Sequence, residues 1–246
     1  MQILRSADRG VTNLGWLDSK HSFAFGRGIP TGPHDMGYRS LRVLNDDRVA
    51  PGGGFPEHGH DNMEIISIVL EGGLAHQDST GASSTITPGT IQRLTAGTGV
   101  RHSEYNASNT EPVHFLQIWL HPEREGLEPG YEERSFEFPA GRFTTVAAPS
   151  GRDDSITLHQ DARLFVARFE PGQSAALDLD TGRHAWVHVA RGEATVNGER
   201  LSEGDGAAID DPGQIEVRTA EPTEGDTPTP SASKQTDTTV LVFDLA

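Results

Sequence analysis

Two short patterns in the chain carry residue types that can bind a transition metal, His58-Gly59-His60 and His102-Ser103-Glu104. Alternate residues of an extended segment share a face, so a His-x-His pair can present two imidazoles to one ion where the backbone bends locally. With 11 histidines among 246 residues, chance alone supplies about 11 × 11/246 ≈ 0.5 such pairs, so the spacing around the pair decides its meaning. That spacing runs Gly52, five residues, His58, one, His60, three, Glu64, and later Gly99, two, His102, three, Asn106. The chain has no cysteine, which excludes disulfides, thiolate nucleophiles, iron–sulfur clusters and cysteine zinc sites. Any metal must therefore sit on histidine and carboxylate.

The elements that position these residues read as short strands. Ile65–Leu70 is a continuous apolar run of strand length, Gly72–Gly73 turns it, and Leu74–Gln77 alternates, which reads as a hairpin. Further strands are expected at Ser40–Leu44, Ser84–Thr87, Thr90–Thr95 and Val113–Leu120, the last with Val113, Phe115, Gln117 and Trp119 on one face. The stretch from Gly28 to Gly54 is otherwise loop-like, with Pro30, Gly32, Pro33 and Gly37. No 3.6-residue periodicity of useful length appears, and 28 Gly with 15 Pro favour tight turns over long helices.

Leu127–Tyr131 reads as a linker, after which strand signals resume at Leu164–Phe169, Trp186–Ala190, Ala194–Val196, Ile215–Arg218 and Thr239–Phe243. Asn197-Gly198 is a type I′ hairpin signal, and Thr219 to Asp237, with almost nothing to bury, reads as a flexible hairpin loop. Aligning Glu71-Gly72 with Arg191-Gly192 gives an internal repeat at an offset of 120 residues (191 − 71). The offset sets Asp178 and Asp180 opposite His58 and His60, and no histidine follows His188, so the second half has no second histidine metal site. The expectation is an all-β chain of two small antiparallel barrels, residues 1–130 with the metal and residues 131–246 without it.

The glycine–histidine frame resembles the two cupin motifs. Glu64 is followed by seven residues before Gly72 where six are usual, and Gly97 stands where a proline is expected before Gly99. These departures point to a narrower family. His21-Ser22-Phe23-Ala24-Phe25-Gly26, Leu41-Arg42-Val43, Met63-Glu64-Ile65, Leu70-Glu71-Gly72, Asp78-Ser79, Thr95-Ala96-Gly97 and His102-Ser103-Glu104 all resemble pirins. So do Gln160-Asp161-Ala162 and Val242-Phe243-Asp244-Leu245, so the resemblance covers nearly the whole chain.

The resemblance implies a bicupin, two jelly-roll barrels facing each other in one chain with metal only in the first. It also implies the ligands His58, His60, His102 and Glu104, with Glu64 behind them. Such a set suits one divalent Fe, Mn, Co, Ni or Cu, iron first among them, and an octahedral ion would keep two positions open for oxygen ligands. The implied activity is that of a quercetin 2,3-dioxygenase, opening a flavonol with dioxygen and releasing carbon monoxide. Glu104 would serve as ligand or, if displaced, as the base that takes the 3-hydroxyl proton. The alternative implied by the resemblance is a metal-dependent, redox-sensitive regulatory partner of a transcription factor or metabolic enzyme.

The other histidines have plainer explanations. His76 is expected to make a cross-strand hydrogen bond rather than to line the mouth, and His21 lies among aromatic residues that pack the barrel. The balance of 20 basic against 36 acidic residues, 20 − 36 = −16, repels a phosphate backbone and argues against nucleic-acid binding. Lysine occurs only at Lys20 and Lys234, a pattern that suits a salt-rich cytoplasm or reflects genome composition. No run nears the ~18 apolar residues of a membrane span, and the first twenty residues lack the apolar core of a signal peptide, so a cytoplasmic location is expected.

Overall fold

The computed structural model describes residues 1–23, 36–221 and 237–246. Most of the loop read at Thr219 to Asp237 lies outside the described residues, as do Ala24-Phe25-Gly26 and the part of the Gly28 loop that precedes residue 36. The described chain is almost entirely strand, with two 3₁₀ turns. Its first half contains β1 (Gln2–Leu4), β2 (Gly10–Asn13), β3 (Leu17–His21), β4 (Leu41–Val49), β5 (Gly54–His60), β6 (Glu64–Glu71), β7 (Leu74–Asp78), β8 (Ser83–Ile86), β9 (Thr90–Thr95), β10 (Val100–Asn106), β11 (Val113–Leu120) and β12 (Gly130–Ser135). There follow β13 (Arg142–Ala148), β14 (Ile156–Thr157), β15 (Ala162–Phe169), β16 (Ser174–Asp178), β17 (His184–Arg191), β18 (Glu193–Val196), β19 (Glu199–Ser202), β20 (Gly206–Asp210), β21 (Gln214–Arg218) and β22 (Thr238–Leu245).

Two compact units result. The metal-motif unit comprises Asp8–Glu137 and Val146–Ala162, the other Met1–Ala7, Phe138–Thr145 and Arg163–Ala246. In the first, an antiparallel sheet of order β12-β9-β6-β11-β4-β3-β2 packs against the four strands β5-β10-β7-β8. In the second, β1-β20-β17-β22-β15-β13 and the four strands β16-β21-β18-β19 repeat that order. The two are the all-β jelly-roll pair expected from the sequence. The offset of 120 holds for the central strand, β6 (64–71) moving onto β17 (184–191), while the strands on either side shift by 115 (207 − 92, β9 onto β20) and 125 (242 − 117, β11 onto β22).

Three local expectations meet different outcomes. Asn197 and Gly198, both at positive φ, close the β18–β19 hairpin as read. The hairpin read at Gly72–Gly73 is corrected: β6 pairs with β9 and β11, while β7 pairs with β8 and β10, so the turn carries the chain from one sheet to the other. Gly72 sits at φ 76° with its α-carbon against Pro112 O, where a Cβ would come within 2.8 Å, which is why the crossing needs glycine. Finally, Gly130 and Tyr131 of the expected linker begin β12, paired with Thr95 and Leu94 of β9.

Candidate metal centre

Along the inward faces of the first unit the strands read apolar, polar, apolar. β6 offers Ile65, Ser67 and Val69, and β11 offers Phe115, Gln117 and Trp119, on the face read from the sequence. The apolar ends join two clusters, one around Val69, Leu74, Ile86 and Phe115, the other around Ile65, Leu94 and Val100 with Met63, Trp119 and Tyr131 against it. A polar layer is thus held between two dry ones, and its groups must satisfy one another.

The candidate ligands stand on β5 and β10, where His102 is paired directly with His58 and Val100 with His60. From His102 to Glu104 is two steps on β10, but their partners His58 and Phe55 are three apart. The extra residue is a bulge on β5 beside Pro56, which has no N–H to donate to a ladder. The three imidazole rings meet mutually, with centroids 4.5 Å (His58–His102), 4.8 Å (His58–His60) and 4.9 Å (His60–His102) apart. His58 Nε2 and His102 Nε2 are 3.0 Å apart. Two nitrogens bound in cis at roughly 2.0–2.1 Å from one ion would be separated by about 2.9 Å, so the pair fits a shared metal. His58 Nδ1 lies 2.8 Å from the Pro56 carbonyl, so it is the donor there and its Nε2 lone pair is left for an ion. Burial, aided by the neighbouring His58, pushes His60 down to about 4 and His102 down to about 3, keeping both rings neutral donors.

Among the described residues, His58, His60 and His102 form one group with ligand atoms within 4.8 Å, and His76, His102 and Glu104 form a second that shares His102. Glu104 therefore stands with His102 and His76 rather than in the group of His58 and His60, and is buried. Its carboxylate accepts from Gln117 Nε2 at 2.7 Å, and Ser67 Oγ lies 3.3 Å from its other oxygen. Burial, and then the charge of Asp47, raise its carboxyl to about 7 against the hydrogen bonds from Ser67 and Gln117. His76 is held by Asp78 at 2.8 Å and by Gln92 at 3.3 Å, so both its nitrogens are occupied. Asp78 is on His76's own strand and Gln92 on β9 of the facing sheet, so the cross-strand hydrogen bond expected for His76 is replaced by one along its strand and one across the barrel. Glu64, implied to lie behind the ligands, accepts from the backbone and ring of His159 at 3.1 and 3.2 Å. Trp119 stands edge-on to His60 at 4.9 Å, and a cleft of about 440 Å³ opens beside His60 between Gly59–Asp61, Ser79 and Thr98–Arg101.

Ser67, Gln92 and Gln117 were not read as site residues, although for Ser67 (between Ile65 and Val69) and Gln117 (between Phe115 and Trp119) a polar residue flanked at i ± 2 by apolar ones on an inward face was the available signal. Gly97 explains its own departure from the cupin pattern. It has φ 48°, which proline cannot adopt, and a Cβ there would fall 2.1 Å from Leu127 O.

The second unit shows the same frame filled with different residues. With the offset of 120 and the matching strand pairings, Ser67 corresponds to Val187, Gln92 to Ala207, His76 to Val196, Gln117 to Val242 and Glu104 to Val217. All five are buried in one apolar core. Where His58 faces His102, Asp178 faces Gln214, whose Nε2 donates to it at 2.6 Å. His184 is bonded to Asp210 at 2.9 Å and His188 is buried on the face away from that core.

Among the described residues no helix is long and apolar enough to cross a membrane. The sequence profile described as Pirin matches residues 4–120, and that described as the quercetinase C-terminal cupin domain matches residues 145–225. The chain is 40% identical over 246 residues to quercetin 2,3-dioxygenase of Escherichia coli K12, covering 100% of this chain and 99% of that one. It is 36% identical over 218 residues to a pirin-like protein of Caulobacter vibrioides, covering 87% and 93%. Among solved structures it is similar to Escherichia coli YhhW, with TM-score 0.88 and 38% identity over 100% of this chain and 97% of that one. A bacterial pirin YhhW in complex with nickel(II) superimposes with TM-score 0.86 and 38% identity over 99% and 98% of the two chains.

Proposed function

The chain belongs to the pirin family, and on that premise we propose that it is a metal-dependent dioxygenase that opens a flavonol such as quercetin and releases carbon monoxide. His58, His60, His102 and Glu104 are the proposed ligands of one divalent transition metal. The carrying observation is the convergence of three imidazoles on one point, with the buried Glu104 carboxylate close to one of them, His102. Full-length similarity to proteins named quercetin 2,3-dioxygenase supports the substrate class. When bound, such a metal supplies a Lewis acid with open positions for oxygen ligands. The protein's own residues do the rest. The cleft beside His60, lined by Gly59–Asp61, Ser79 and Thr98–Arg101, admits the substrate, and Trp119, packed at right angles to the His60 ring, helps to fix that imidazole. Neutral His60 and His102 add no charge of their own beside the ion.

The atoms balance without another reactant: substrate plus dioxygen gives the ring-opened ester plus carbon monoxide. The test is aerobic turnover of quercetin by protein loaded in turn with Fe, Mn, Co, Ni and Cu, with dioxygen uptake and carbon monoxide both measured. Loss of the flavonol band with matching carbon monoxide is expected for at least one metal. Binding of quercetin with no carbon monoxide under any of them would refute the reading and favour a regulatory role.

A further inference from the structure

We propose that Gln117, locked in orientation by Ser67, is the positioning residue that holds Glu104 as a fixed metal ligand. The inference rests on the reading of Glu104 as a ligand given above. Gln117 reaches from the middle of β11 across the barrel to Glu104 on β10, 2.7 Å from Nε2 to Oε2. Its other end, Oε1, lies 2.8 Å from Ser67 Oγ on the adjoining strand β6, which has a proton to donate. A ligating carboxylate is ionised and only accepts. Turning the amide over would set Gln117 Oε1 against Glu104 Oε2, two acceptors in contact, so one orientation alone is compatible with the ligand state. All three side chains are buried, so losing one partner leaves a buried polar group unsatisfied.

The second unit supplies an independent observation. There the positions of Ser67, Gln117 and Glu104 are held by Val187, Val242 and Val217. The three polar residues stand or fall as a set, as expected if Ser67 and Gln117 exist to serve the carboxylate. So clamped, Glu104 stays in place through the reaction and does not swing out to take a proton.

The experiment measures nickel(II) affinity by chelator competition, and the visible bands of the cobalt(II) protein, for Gln117→Leu, Ser67→Ala, Glu104→Ala and the double variant Gln117→Leu/Glu104→Ala. Partners behind a metal's ligands contribute about 10–100-fold in affinity. Gln117→Leu should lose affinity in that range and shift the cobalt bands, and Ser67→Ala should lose less in the same direction. In the Glu104→Ala background Gln117→Leu should cost under about twofold, because the residue acts through Glu104. Gln117→Met replaces Gln117→Leu if the latter does not fold, judged by melting of the metal-free protein. An equal loss with and without Glu104, or no loss while Glu104→Ala weakens binding, overturns the positioning role alone. If Glu104→Ala itself leaves affinity unchanged, the ligand reading fails and takes the proposal with it.

Discussion

Asp47 is a carboxylate buried in the middle of β4, and replacing it by asparagine should make the metal-free protein more stable at alkaline pH. Its hydrogen bond from Ser19 and the charge of Arg9 favour the ionised form, yet burial outweighs them and, with Asp46 beside it, raises the carboxyl from 3.8 to about 7. The folded chain therefore holds a proton that the unfolded chain releases. A raised acid contributes stability that is complete below pH ~4 and is lost as pH climbs through ~7. Three units at about 1.36 kcal/mol each set a ceiling of about 4 kcal/mol. Asparagine keeps the oxygen that accepts from Ser19 but adds an N–H₂ group needing an acceptor, a cost of about 1–3 kcal/mol. The net expectation is a gain of about 1–3 kcal/mol at pH 8 and none, or a small loss, at pH 4. Hydrogen exchange of the β4 and β11 amides, corrected for intrinsic rate, reads this locally from pH 4 to pH 8. Glu104, also raised, leaves Asp47→Asn with a shallower slope rather than a flat one. Parallel pH profiles for parent and variant would show that Asp47 is ionised at little cost and refute the reasoning.

Two further outcomes follow from the site and the surface. His58→Ala/His60→Ala removes two of the three converging imidazoles, so elemental analysis should find the metal lost, and stoichiometric metal in that variant would overturn the assignment. A formal charge of −16 predicts a melting temperature that rises as KCl shortens the screening length from ~30 Å at 0.01 M to ~3 Å at 1 M, and a flat response would leave genome composition as the reason for the lysine-poor surface.

Strands buried on apolar faces were legible: Thr90–Thr95 and Val113–Leu120 are β9 and β11 to the residue. The two strands that carry the proposed ligands were not. β5 reads GFPEHGH and β10 reads VRHSEYN, with two glycines and a proline in one and mostly polar residues in the other. Their inward positions are given to His58, His60, His102 and Glu104 where a structural strand would place Val or Ile, so the strand signal is weakest where the chemistry is strongest. Pairing across the chain was equally hidden. β1 joins β20 through Gln2↔Ala208, 206 positions away (208 − 2), and no local pattern reports such a partner. The metal frame survived because its spacing is local to each ligand strand, whereas the polar layer behind it draws on strands far apart in sequence.

The contrast between the two units shows why that layer behaves as one object. Stripping only the histidines from a barrel of this kind would leave Gln117, Ser67, Gln92 and Glu104 buried without an ion to justify the carboxylate, at a cost of about 1–3 kcal/mol for each group left unsatisfied. Replacing one of them by an apolar residue would strand its partner in turn. The stable alternatives are therefore a complete polar layer or a complete apolar one. The second unit holds the apolar solution, Val187, Val196, Val217, Val242 and Ala207 in one apolar core, with Asp178 and Gln214 paired with each other where His58 faces His102 in the first. The proposed oxygen chemistry accordingly draws on the first unit, whose polar layer is complete.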